Sequence, residues 1–147
     1  MEAGLAASIA TCLIVLTVIH DLDHVRQGRS LDPELYVVAV LALVSTSATL
    51  VLLRHRHPAA GLVAVGVGAA TPVGVAAVHV APRRSLFSDS YFAAGADPMS
   101  WLIIVLMMIT GLALAGAGLP ALRLLRGSGA KPQKRLSVFP RGPGEAL

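Results

Sequence analysis

The chain alternates long apolar runs with short polar breaks. Four runs, Ala3–Ile19, Leu35–Leu53, Pro58–Ala81 and Met99–Leu119, contain no Asp, Glu, Lys or Arg and measure 17, 19, 24 and 21 residues. A bilayer core of roughly 30 Å takes about 20 residues of α-helix to cross, so each run predicts one membrane span. The expected fold is all-α: an integral-membrane four-helix transmembrane bundle. Its spans fall at about 3–20, 35–53, 58–81 and 99–119, forming one domain over residues 1–126.

The breaks carry their own signals. Asp32-Pro33 and Asp97-Pro98 each predict a helix start, with Asp as side-chain acceptor at the N-cap and Pro at the first helical position. The first run is preceded by Glu2 and by no basic residue, so it reads as a retained helix rather than a signal peptide. From Gly127 the pattern is lost. Residues 127–147 are rich in Gly, Pro, Lys and Arg, an expected disordered tail with some attraction for anionic lipid.

Composition agrees with this division. Charged residues make up 14% and hydrophobic ones 55%, whereas a soluble domain carries about 25% charged residues. The basic residues also give an orientation. Four spans put the N-terminus, the Arg54–His57 turn and the C-terminal tail on one side, with eight Lys and Arg against four on the other. The positive-inside rule then places both termini in the cytoplasm of a multi-pass protein of the cell membrane. The net charge of +4 is thus a topology signal, and no nucleic-acid partner is expected. A single cysteine excludes an internal disulfide.

Within the runs, Ser45, Thr46, Ser47 and Thr49 suit helix packing through hydroxyl bonds to backbone carbonyls. Gly66, Ala70 and Gly74 form a small-xxx-small stripe, to which Gly111 and Ala115 add a shorter equivalent in the fourth run. The longer stripe is the expected contact for a second copy of the chain or for a partner membrane subunit. Pro72 removes a backbone donor in mid-span and predicts a kink. Tyr36, Tyr91 and Trp101 all fall at one boundary, where an aromatic belt accounts for them.

Candidate chemistry gathers in His20-Asp21-Leu22-Asp23-His24, where the first run ends. If helix continues there, His20, Asp23 and His24 share a face, being i, i+3 and i+4. Topology adds an independent residue, because the third span runs in the same direction and brings His79 to the same boundary. Imidazoles with nearby carboxylates suit zinc, nickel, copper or iron. The expected metal site is His20, His24 and His79, with Asp23 as fourth ligand or as an outer acceptor that orients an imidazole. Asp89 is a further candidate. A bis-histidine haem fits less well, because Asp21 and Asp23 are poor neighbours for it. The competing readings are a hydrogen-bonded structural cluster and plain interfacial histidines.

Asp21-Leu22-Asp23-His24-Val25 resembles the Asp-x-Asp-His-Ile stretch of the nickel/cobalt permeases, which follows an upstream histidine in a membrane helix. The resemblance covers those five residues in a chain with half that family's helices, and it implies a metal-compatible pattern. No Gly-x-Ser-x-Gly elbow, His-Glu-x-x-His or nucleotide loop is found. The leading functional expectation is a membrane protein with an outward-facing His/Asp metal site. That site would serve ion handling or metal-assisted chemistry on a lipophilic substrate reached through the lipid bilayer. A non-catalytic accessory subunit of a membrane complex and a small oligomeric transporter are the alternatives.

Overall fold

The computed structural model describes residues 2–28, 33–81 and 89–128. Among them the chain is helical, without strands: α1 (Glu2–Arg26), α2 (Pro33–Arg54), α3 (Ala60–Val75), the short α4 (Tyr91–Ala94) and α5 (Pro98–Ser128). A single π turn, Ala76–Val80, extends α3. Four of these helices are long and apolar enough to cross a membrane. Helix is the form that suits such runs, since it satisfies every backbone group within one segment. The tail beyond Ser128 and the Asp32 cap lie outside the described residues.

The elements outrun the apolar blocks at two ends. α1 does not stop near residue 20 but continues to Arg26, which puts the whole histidine motif on helix. α5 reaches Ser128, into the segment expected to be tail. Its start follows the Asp-Pro signal: Asp97 Oδ1 accepts the Ser100 backbone N–H at 3.0 Å.

The long helices form a ring in which α1 touches α2 and α5, and α3 touches α2 and α5. Burial explains the ring. On α1, Ala6, Ala10, Leu13, Thr17, His20 and His24 are buried, a spacing of three and four that keeps one stripe inward. The stripe begins apolar and ends in imidazole. α5 answers with Ser100, Ile104, Met107, Gly111, Leu114 and Gly118. Outward faces carry Leu, Val and Ile, among them Val44, Val73, Ile109 and Leu112, the composition a lipid-facing surface would need.

α3 and α5 make the closest approach. A Cβ added at Gly68 would run into the Ala115 backbone nitrogen and lie 2.6 Å from the Gly111 carbonyl. One at Gly118 would lie 2.6 Å from the Gly61 carbonyl. Gly111 therefore serves as the sequence suggests, but its counterpart is Gly68. Gly66 and Gly74 have open space where a side chain would be. The Gly66–Ala70–Gly74 stripe faces away from α5 and into a cleft described below.

Candidate metal centre

The C-terminal end of α1, the π turn of α3 and the N-terminal end of α5 meet at one end of the bundle. His20 and His24 come from successive turns of α1, and His79 comes from the π turn. All three are buried. The Nε2 atoms of His20 and His79 are 3.1 Å apart, and those of His24 and His20 are 3.3 Å apart. One potential ligand atom from each ring lies within 4.8 Å of the other two.

Two of these separations fit a metal. Nitrogen ligands about 2.0–2.1 Å from a tetrahedral ion stand roughly 3.3–3.4 Å from one another. Hydrogen bonding alone explains the cluster less well. An imidazole nitrogen has one in-plane lobe, either an N–H or a lone pair, yet His20 Nε2 faces two other rings.

The opposite nitrogens support the same arrangement. His20 Nδ1 lies 3.4 Å from the Tyr91 hydroxyl, and His79 Nδ1 lies 3.2 Å from the Asp89 carbonyl. His24 Nδ1 is 3.6 Å from Asp89 Oδ2. His20 and His79 thus turn Nε2 inward and Nδ1 toward an oxygen within hydrogen-bond reach, the outer support that fixes a ligand's ring and tautomer. His24 Nδ1 faces the Asp89 carboxylate at the longer distance. Asp89 is itself anchored, its backbone N–H donating to the Val78 carbonyl at 2.9 Å. Tyr91 is fully buried at the start of α4, with its ring centroid 4.5 Å from that of His79.

Asp23 goes elsewhere. Its Oδ2 accepts from Ser100 Oγ and Gln27 Nε2, both at 2.6 Å, and its Oδ1 from Arg26 Nε at 2.7 Å. Arg26 also pairs with Asp97. The carboxylate therefore latches α1 to α5 and is not among the three residues that converge. Helical phase explains this: Asp23 and His24 are neighbours in sequence, about 100° apart around the axis. His20 faces between them, so a shared face for all three does not mean a shared target. The sequence pointed to neither Ser100 nor Tyr91. Tyr91 carries the same boundary signal as the exposed Tyr36.

Beside the cluster lies a cleft of about 520 Å³ bounded by α1, α2 and α3. On α2, no residue from Tyr36 through Ser45 is buried. The histidines line one end of the cleft, and Gly66, Ala70 and Gly74 line its α3 wall.

Comparison with known proteins brings no match: no family model fits the sequence, and no curated protein or solved structure is significantly similar. The resemblance to the nickel/cobalt permeases is thus confined to five residues.

Proposed function

We propose that His20, His24 and His79 bind one divalent transition metal through Nε2, with a fourth position directed to the cleft. Asp89 and Tyr91 act as outer supports, and Asp23 acts as the latch to α5 rather than as a ligand. The observation that carries this reading is the common polarity of the three rings, Nε2 converging and every Nδ1 facing an oxygen. Three neutral imidazoles suit zinc first, with nickel, copper and iron as competitors.

The protein is read as a multi-pass component of the cell membrane with cytoplasmic termini, which puts the site at the outer surface. Three protein ligands plus an open position is the pattern of catalytic rather than structural zinc. His20, His24 and His79 would hold the ion, and the chemistry it would supply is Lewis-acid activation of a water or a carbonyl. The role proposed is ion handling or metal-assisted chemistry on a lipophilic substrate that arrives from the bilayer.

Metal analysis of the detergent-purified protein tests the reading. The expected result is stoichiometric metal in the wild type and loss in His20→Ala and His79→Ala, each with an unchanged helical circular dichroism spectrum. Affinity should also weaken as the buffer is acidified, because the ligands must be unprotonated. A folded wild type that takes up no zinc, nickel, copper or iron would leave only a hydrogen-bonded cluster.

A further inference from the structure

We infer that the cleft holds a single extended acyl chain whose carbonyl-oxygen head reaches the histidine end, which names the substrate class of the proposed metal site. The head group's partner rests on the metal reading, whereas the seat for the chain rests on the cleft alone.

Three observations lead to this. The first is dimension. The cleft runs along α1 from Leu13 to His24 and along α3 from Gly66 to His79. At 1.5 Å per helical residue that is about 16 to 20 Å, close to the roughly 15 Å of hydrocarbon in one leaflet. Its volume of about 520 Å³ falls within the usual range for small-molecule sites, roughly 300–1,000 Å³.

The second is the distribution of polarity. Hydroxyls in the wall are turned onto their own helices: Thr17 donates to the Leu13 carbonyl, Thr46 to Ala42 and Thr71 to Val67. Ser45 likewise donates to the Leu41 carbonyl at 2.6 Å. What those residues present to an occupant is mainly methyl and methylene. Ionisable groups gather only at the outer end, where His20, Asp21, His24 and His79 line the cleft. An occupant matched to this wall is apolar along its length and polar at one tip.

The third is access. Leu41 and Ala42 on α2 and Gly66, Ala70 and Gly74 on α3 are exposed, so the cleft opens sideways at the depth of the apolar spans. A transmembrane helix is the other conceivable occupant, but it needs the full span of roughly 30 Å. The cleft stops short of that. Toward its other end α2 turns into α3 within a few residues, and Leu53 and Ala60 close into the core.

The experiment is photo-crosslinking of the full-length protein in nanodiscs, with and without added zinc. One arm uses palmitate bearing a chain diazirine, and the other a lysophosphatidylcholine with the same chain, to separate a free acid from a lipid ester. Expected are adducts mapped to 41–46 and 66–74, suppressed by unlabelled competitor in at least one arm. Gly66→Leu and Gly74→Leu place a side chain in open space and should cut that labelling by about tenfold or more. Circular dichroism and gel filtration check that each variant folds.

Labelling spread over all outer helix faces, or indifferent to both variants, overturns the proposal. So does a change in oligomeric state in Gly66→Leu or Gly74→Leu, which would assign the cleft to a second copy. Specific labelling without zinc uptake keeps the acyl seat and removes the metal reading. Zinc uptake without specific labelling does the reverse.

Discussion

Helix α3 presents two stripes of small residues that do opposite things. Gly61, Ala64 and Gly68 are buried against α5, where the Gly68 position leaves no room for a Cβ. Gly66, Ala70 and Gly74 are exposed and border the cleft, with nothing near the two glycines. In the first stripe small size lets two backbones meet, and in the second it keeps a space open. Small-xxx-small spacing alone does not distinguish a contact from a vacancy, because both need the same residues.

The largest expected effect falls on the closed stripe. Gly68→Leu drives a side chain into the α5 backbone, which has no flexible end to yield, and should cost about 3 kcal/mol or more. Denaturation in graded detergent mixtures would measure it, and wild-type stability would mean that α3 and α5 can separate at little cost. Next comes the latch that holds α1 to α5. Ser100→Ala leaves buried Asp23 without its hydroxyl donor and should cost about 1–3 kcal/mol. The same assay should show no such loss for a serine-to-alanine change on the exposed face of α1, at Ser8.

On the open stripe the sign reverses. Gly74→Ala adds a methyl where nothing obstructs it and removes a glycine from a helix interior. A gain of about 0.5–1 kcal/mol is expected in protein stripped of bound lipid, and a loss there would show that another helix packs against the stripe. The smallest effect is a matter of pH. The Ser100 backbone N–H, followed by the Arg26 guanidinium, holds the Asp97 carboxyl down at about 2, from an ordinary 3.8. A carboxyl depressed in the folded state adds stability above its ordinary value and loses it as pH falls through the folded one. The latch should therefore loosen between pH 3.8 and about 2, and Asp97→Asn should flatten that part of an acid melting profile.

Much of this was legible in the residues. Run lengths mark four candidate spans, and their alternating direction brings His79 to the level of His20 and His24. Asp97-Pro98 marked a helix start that its side-chain bond to Ser100 bears out. Other features were not legible, for identifiable reasons. Hydropathy records which residues are apolar but not the hydrogen-bond phase, so the π turn carrying His79 left no mark. Tyr91 and Tyr36 give the same boundary signal, yet Tyr91 is buried against the His79 and Trp101 rings while Tyr36 is exposed. Asp23 shares the i, i+3, i+4 spacing with the histidines, but about 100° separates it from His24, and its oxygens accept from Ser100, Gln27 and Arg26. The two stripes of α3 were equally small, and only the seat of α5 decides between them.

The position of Trp101 has a practical consequence. It is the only tryptophan in the chain, and its ring meets Tyr91 edge-on with centroids 5.6 Å apart. Tyr91 in turn touches the His79 ring. The protein thus carries a native optical gauge two ring contacts from the imidazoles, and the arrival of a quenching ion such as copper(II) would register in unlabelled protein as a dimming of indole emission.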